Sequence, residues 1–412
     1  MARFSPTRFP PGFFDLPADA GQQLPLGVVA AWTQSSQTRE VARELLAPYT
    51  LRGTVVCSDA AGLTRLTQER SLIEILAMVS LPKGLAHAFG KAIGGNPIGV
   101  WAADNTAMFY PEDIPADRIV SMLLALLDRV RAECEVGIGL CVHHGEFYEL
   151  GQGIYGPDAD RVEVIAEEFT SAGELVITDA IVRRLSGSGG FDMTPRSDLL
   201  ERFGEVHRIT DGPRLGGIDP SDFHYPLPFT DDFYGGLAQF HRTRRTSVVP
   251  RPAYRDVTVV VIAPEREDRD IPEVAALNDL ALAAAIKRIG RGLGEDLSGS
   301  EVKTSSGVSI YLFDDARHAV AFARKLRDTF AAQKVALCMG MDAGRILLFE
   351  LGEDRRDIAG SPVNVASKLA QDAGQLGTIM LSSRVAALAG LPQAAVSHSI
   401  QVSGVSIDAI TL

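Results

Sequence analysis

The sequence predicts an α+β protein in which one domain occurs twice. Three observations predict it. GELVITDAIVRRL, from Gly173, resembles GTIMLSSRVAALAG, from Gly377, at an offset of 204. IYGPDADRVEVIAEEF is matched by DIAGSPVNVASKLAQDA at the same offset, aligning Asp160 with Asn364. IGVWAADNTAMFYPED pairs with EVKTSSGVSIYLFDDA, aligning Asp104 with Gly307 at an offset of 203. Solenoid repeats run to about 20–50 residues, so a period this long is a duplicated domain. The 412 residues divide into an N-terminal extension (1–48), a first domain (49–215), a linker (216–253) and a second domain (254–412).

Each copy opens on a β-branched run, GTVVCSD at 53–59 and DVTVVVIA at 256–263, the pattern of a buried strand. A long helical stretch follows, 67–93 in the first copy and 272–293 in the second. Next comes a hairpin of short strands. A helix (114–133; 316–333) then leads into a strand pair (136–150; 335–350). His143-His144-Gly145 and Asp342-Ala343-Gly344 read as turns inside those pairs. A helix (159–172; 362–373) and a strand (174–178; 378–382) close the unit. In the extension, 39–46 has Ala and Leu at helical spacing. The linker holds so many Phe and Tyr that it reads as an ordered segment lying on protein.

Composition narrows the function classes. Lys and Arg total 40 against 52 Asp and Glu, a net charge of −12, which excludes a global basic footprint for nucleic acid or a polybasic membrane anchor. Four cysteines (Cys57, Cys134, Cys141, Cys338) are too few for a disulfide framework and lack metal-ligand spacing. The opening residues have no apolar core like that of a signal peptide. No segment is expected to reach the roughly 18–20 apolar residues of a membrane span. A soluble, cytoplasmic protein with reduced thiols is the expectation.

The polar residues are divided between the copies. Asp59 ends the first strand and Asp104 sits in the following hairpin. Two such carboxylates on neighbouring strands repel unless a divalent cation lies between them, and Mg²⁺ is commonly held by carboxylates with phosphate oxygens. Capping and turn roles for both acids are the plainer alternative. The second copy has Ala263 or Ile262, and Gly307, at these places. It gains Lys303 where Val100 stands in the first copy, and Asp357 where Gly153 stands. Asn364 and Lys368 lie one helical turn apart, against Asp160 and Val164 in the first copy.

VVCSDAAGLTRL, VWAAD and GSPVNVASKLAQDAGQLGTIMLSS resemble class III nucleotide cyclase homology domains. The last is close to that family's Gly-x-x-Val-Asn-x-Ala-x-Arg-Leu pattern and is the most specific. The resemblance spans about 51–185 and 256–388. It implies two ferredoxin-like, palm-type domains paired head to tail within one chain, as a pseudo-heterodimer and a monomer. It implies Asp59 and Asp104 as ligands of Mg²⁺ or Mn²⁺, Lys303 and Asp357 as purine readers, Asn364 as the ribose contact and Lys368 at the catalytic Arg position. A carboxylate accepts from the adenine amino group and a lysine donates to its ring nitrogen, so this pair implies ATP over GTP.

Several departures accompany the resemblance. Lys368 replaces a planar fork with a point charge. Gly139 stands where the family has an Arg, Ser403 near where it has a Lys, and Ala103 replaces the hairpin Gly. The linker arginines Arg242, Arg244 and Arg245 could compensate, or form a solvated basic turn. Gly94-Gly95-Asn96 offers the only trace of a GGDEF-type alternative. The expected function is ATP binding with a divalent metal at one composite site, with weak or no cyclase activity, in cyclic-AMP signalling. An active adenylyl cyclase and a partner-binding scaffold without nucleotide are the alternatives. The extension leaves room for a regulatory partner.

Overall fold

The computed structural model describes residues 24–60, 70–99, 101, 106–150, 153–186, 190–219, 231–243, 245, 253–264, 271–304, 307–350, 356–371, 373–391, 397–402 and 405–412. They fall in two compact units. One combines 24–48 with 253–412, and the other spans 49–60 and 70–245.

In chain order the elements are α1 (Leu26–Thr33), α2 (Arg39–Leu46), β1 (Thr50–Ala60), α3 (Leu72–Ala92), β2 (Asn96–Ile98), β3 (Thr106–Pro111), α4 (Ala116–Glu133), β4 (Ile138–Leu150), β5 (Gly153–Tyr155), α5 (Pro157–Phe169), β6 (Leu175–Thr178), α6 (Asp179–Val182), β7 (Asp192–Pro195), α7 (Leu200–Phe203), β8 (Val206–Asp211) and α8 (Asp231–Thr243). The second copy supplies β9 (Ala253–Pro264), α9 (Pro272–Asp296), β10 (Gly299–Thr304), β11 (Ser309–Phe313), α10 (Ala316–Ala331), β12 (Leu337–Glu350), β13 (Arg356–Ala359), α11 (Ser361–Gln371), β14 (Ile379–Ser382), α12 (Ser383–Leu388), β15 (Ser397–Val402) and β16 (Val405–Thr411).

The two sheets have one topology. The first runs β2-β3-β1-β4-β6-β8-β7 with β5 on β4, and the second β10-β11-β9-β12-β14-β16-β15 with β13 on β12. The duplication therefore extends past the two stretches that resemble cyclase domains, through an antiparallel strand pair at each sheet edge. Strand alternation sorts the core. Val56 joins Leu85, Phe89, Ile119 and Leu123 on the α3–α4 side. Val55 and Cys57 join Val162, Ile165 and Ala166 of α5 on the other. The turn after the long helix has a left-handed residue in both copies, Gly94 at φ 96° and Ser298 at φ 57°.

Three sequence expectations need correction. Residues 138–150 and 337–350 are single strands rather than strand pairs, and their hairpin partners are β5 and β13. His143, His144 and Gly145 therefore lie mid-strand opposite Val55, Thr54 and Gly53. Gly145 is not a turn glycine. A Cβ there would fall 2.1 Å from Asp158 Oδ2, so its role is to admit the start of α5. Finally, α3 is long and apolar enough to cross a membrane, with a mean hydropathy of 1.4, contrary to the composition reading. Two-thirds of that window is buried inside the protein, as in a core helix, and Pro82 and the buried Lys83 lie within it.

The extension and the linker each cover a long helix. In the unit containing the second copy, α1 and α2 pack on α9. Trp32 is fully buried there and its Nε1 donates to Asn278 Oδ1 at 2.9 Å. Arg43 Nε lies 2.8 Å from Glu273 Oε1 and Arg39 Nε 3.7 Å from its Oε2. In the other unit, α8 from the linker packs on α3 and buries Leu237 and Phe240.

Candidate functional site

In the second copy the polar residues converge on one core. Val302, Ile358, Ala366 and Ala370 belong to a single apolar cluster. The strand with Lys303, the strand with Asp357 and the helix with Asn364 and Lys368 therefore pack around the same side of the sheet. Lys303 Nζ lies 3.6 Å from Asp357 Oδ1, with the lysine side chain 31% exposed and the carboxylate 10%. Asp357 Oδ1 also accepts the Ile358 N–H at 2.9 Å. This is a half-desolvated pair, able to present one donor and one acceptor.

A β-bulge aims Lys303. The pairing of β10 with β11 slips between Glu301 and Lys303, so Val302 and Lys303 together oppose Ile310. That insertion changes the equivalence between copies. Ile310 and Ala107 stand opposite the matching β9 and β1 residues Val261 and Cys57, and Ala107 faces Ile98. The register thus puts Ile98, not Val100, at the level of Lys303. Val100 lies outside the described residues. Asp357 opposite Phe349 matches Gly153 opposite Leu150, as read from the sequence.

Gly360, at φ 149°, turns β13 into α11. Asn364 and Lys368 lie on the half-buried side of this helix, while Pro362, Ala366, Leu369 and Ala370 face inward. The helix sits directly on strand β12. A Cβ at Gly340 would stand 1.9 Å from the Ala366 carbonyl oxygen and 2.5 Å from the Ala370 nitrogen. Gly340→Val is expected to reduce stability by about 1–3 kcal/mol, and to displace the helix carrying Asn364 and Lys368, because backbone atoms cannot yield as a side chain would. Urea unfolding of the variant checks this. Parental stability would show that the contact is soft.

In the first copy Asp59 lies at the end of β1, half-buried, opposite Gly139. The equivalent β9 residue opposite Cys338 is Ala263, which settles the choice between Ala263 and Ile262. Asp104 lies outside the described residues. Ser58 and Thr106, on the neighbouring strands β1 and β3, share a hydrogen bond of 2.6 Å between their hydroxyls. Among the described residues no group of three or more His, Cys, Asp or Glu is arranged to hold a metal. One partly solvated carboxylate suits a hard cation that takes its other oxygens from phosphate and water. The family's Arg position is closed here: a Cβ at Gly139 would meet Thr170 Oγ1 at 2.1 Å. Arg242 and Arg245 are exposed, and Arg244 and Ser403 lie outside the described residues.

A second pair of polar contacts joins matching strands with different chemistry. In the first copy, buried His143 Nδ1 is 2.7 Å from Thr178 Oγ1 and its Nε2 is 3.0 Å from Asp158 Oδ1. Burial pushes the Asp158 carboxyl up, but hydrogen bonds from His143 and the Glu146 N–H, with the charges of His143 and Arg161, hold it below its ordinary range. In the second copy Ser382 Oγ donates to Asp342 Oδ1 at 2.5 Å. There burial dominates and raises the Asp342 carboxyl, against hydrogen bonds from Ser382 and the Ala343 N–H and the charge of Arg384. Sequence reading missed both, because the partners lie 35 and 40 residues apart.

The raised carboxyl has a pH consequence. Folded Asp342 holds its proton more tightly than the unfolded chain does, so its ionisation opposes folding as pH rises above the unfolded value of about 3.9. Removing the charge relieves that penalty at neutral pH and relieves nothing once the parent is protonated. Asp342→Asn is therefore expected to be more stable relative to the parent at pH 7 than at pH 4. Melting curves of both proteins at the two pH values read this, and a pH-independent difference would refute it.

Among solved structures, the chain is similar to a class III adenylyl cyclase-like ATP-binding protein from Pseudomonas aeruginosa. The TM-score is 0.54 at 13% identity, over 82% of this chain and 85% of that one. The adenylyl cyclase CyaB from P. aeruginosa aligns with 39% of this chain and 95% of its own, at 19% identity and a TM-score of 0.33. An adenylate/guanylate cyclase/hydrolase from Silicibacter pomeroyi aligns with 39% of this chain and 96% of its own, at 20% identity and a TM-score of 0.31. No family model matches the chain, and no curated protein matches it. The first of these likenesses defines the class: the chain has the class III cyclase-like fold, and it has that fold twice.

Proposed function

We propose that this chain binds ATP with a divalent cation at one site composed from both copies, and that it turns ATP over weakly or not at all. The observation that carries this reading is the Lys303–Asp357 pair, set 3.6 Å apart beside the helix of Asn364 and Lys368. Asp357 would accept from the adenine amino group while Lys303 donates to a ring nitrogen. Guanine would set its carbonyl against the carboxylate and leave buried groups mismatched, worth about 1–3 kcal/mol of discrimination. The likeness to an ATP-binding cyclase-like protein supports the same choice of nucleotide.

In this reading the two copies pair head to tail, so the acids of one meet the purine readers of the other. Asp59 and Asp104 would hold Mg²⁺ or Mn²⁺, which supplies charge neutralisation at the phosphates and acidifies the ribose 3′-hydroxyl. Asn364 would orient the ribose and Lys368 would offset charge on the α-phosphate. Weak turnover follows from the phosphate side. Lys368 cannot bridge two oxygens as a guanidinium does, and Thr170 occupies the space that a side chain at Gly139 would need.

Isothermal titration with ATP and Mg²⁺, with GTP as the comparison, tests the binding, and a cyclic-AMP assay with Mn²⁺ tests turnover. ATP binding selective over GTP with little cyclic AMP is expected. Rapid cyclic-AMP formation would make the protein an adenylyl cyclase instead. Absence of nucleotide binding would leave a scaffold that engages partners.

A further inference from the structure

The bulge that aims Lys303 is pinned from behind. Glu301, the last regularly paired residue before it, turns to the α9 side of the sheet, where Lys287 Nζ lies 2.6 Å from its Oε1. Both side chains are nearly withdrawn from water, at 11% and 15% exposure. Val302 turns the other way, into the cluster with Ala366 and Ala370. In a regular strand the next residue would return to the Glu301 side. The bulge keeps Lys303 on the Val302 side, within reach of Asp357.

The first copy has a regular strand at the same place. At an offset of 204, which aligns Gly90 with Gly294 and Gly94 with Ser298, Lys83 takes the place of Lys287 and Pro97 that of Glu301. Lys83 Nζ donates to the Trp101 carbonyl oxygen at 3.1 Å, and β2 pairs with β3 without a register shift. The inward lysine is thus present in both copies. Among the described residues, Lys287 meets a carboxylate and Lys83 a carbonyl oxygen, and the register shift lies in β10 and not in β2.

Resting on the reading of Lys303 and Asp357 as adenine readers, we propose that Lys287 and Glu301 are positioning residues for base selectivity: their ion pair fixes the bulge that presents Lys303 to the purine. A buried pair is weak evidence for a stabilising role, because apolar replacements of similar volume often preserve or raise stability. That fact separates positioning from stability. The variants are Glu301→Gln and the double replacement Lys287→Met with Glu301→Met.

The double variant is expected to fold with near-parental stability yet to lose about tenfold in ATP affinity, with the ATP-to-GTP preference collapsing toward unity. A second readout needs no nucleotide. The protein is reductively methylated with ¹³C, and the Lys303 dimethylamino resonance, assigned with Lys303→Arg, is recorded in the parent and in both variants. The parent resonance is expected to report an ion-paired amine, and in the variants it should shift toward that of an unpaired lysine. A double variant with parental selectivity and an unmoved Lys303 resonance overturns the proposal. If the parent binds no ATP, the proposed function fails by itself, and the Lys303 resonance still decides whether Lys287 and Glu301 hold the bulge.

Discussion

Replacing Trp32 by alanine is expected to lower the free energy of unfolding by about 3–5 kcal/mol, the usual range for emptying a buried aromatic site. The indole has no solvent exposure, and its N–H donates to the buried Asn278 carboxamide at 2.9 Å. It lies with Val28 and Val29 against a helix whose buried face is mostly alanine, from Ala275 through Ala285. Such small side chains leave a shallow groove, and little is available to collapse into the space the indole leaves. Trp32→Phe retains most of the apolar surface and removes the donor, so a smaller loss, about 1–3 kcal/mol, is expected. Urea unfolding of the full chain measures both. An alanine variant within 1 kcal/mol of the parent, well short of that range, would mean the extension contributes little to the second unit. The same packing implies that a protein truncated just before Thr50 lacks part of that unit's core.

Asp357→Ala is expected to weaken ATP binding by about 10- to 100-fold, the loss of a hydrogen bond to a charged group together with the ordered partner beside it. The carboxylate is 10% exposed and holds Lys303 at 3.6 Å. In the proposed binding mode the adenine amino group would then lack its acceptor, and the lysine would lose the carboxylate beside it. Asp256→Ala serves as the comparison, because that exposed carboxylate pairs with Arg345 at 3.4 Å and is 70% solvent-accessible. Surface pairs of this kind contribute little. Calorimetric titration of the two variants with ATP separates them. Equal affinity for ATP in Asp357→Ala and in a binding-competent parent would remove Asp357 from base recognition.

Much of the candidate site was legible because its residues interrupt strong local patterns. Asp59 follows a β-branched run, and Asn364 and Lys368 stand one turn apart on an apolar helix, so their elements could be assigned before any contact was known. Lys303 was legible as a residue but not as a direction. Its orientation depends on a one-residue slip, and a slip of one residue moves a side chain to the other face. Reading the copies at a constant offset therefore matched Lys303 with Val100, where pairing matches it with Ile98. The His143 and Asp342 segments misled for a related reason. A glycine inside a strand and a glycine in a turn look alike in sequence, and only the approach of Asp158 to Gly145 distinguishes them.

The amino-acid sequence by itself determined the duplication, the main helices and the opening strand of each copy, and the division of Asp59 and Asp104 from Lys303, Asp357, Asn364 and Lys368 between the copies. These are properties of local pattern and of comparison between the two copies, and each is carried by residues close together in the chain. Tertiary structure alone decided where the extension goes, which glycines admit a helix and which way Lys303 points. Those depend on contacts such as Trp32 with Asn278, 246 residues apart, and Lys287 with Glu301 beside a bulge. Such contacts leave no periodicity in the chain, because what selects them is the shape of the space that remains once the rest of the protein has packed.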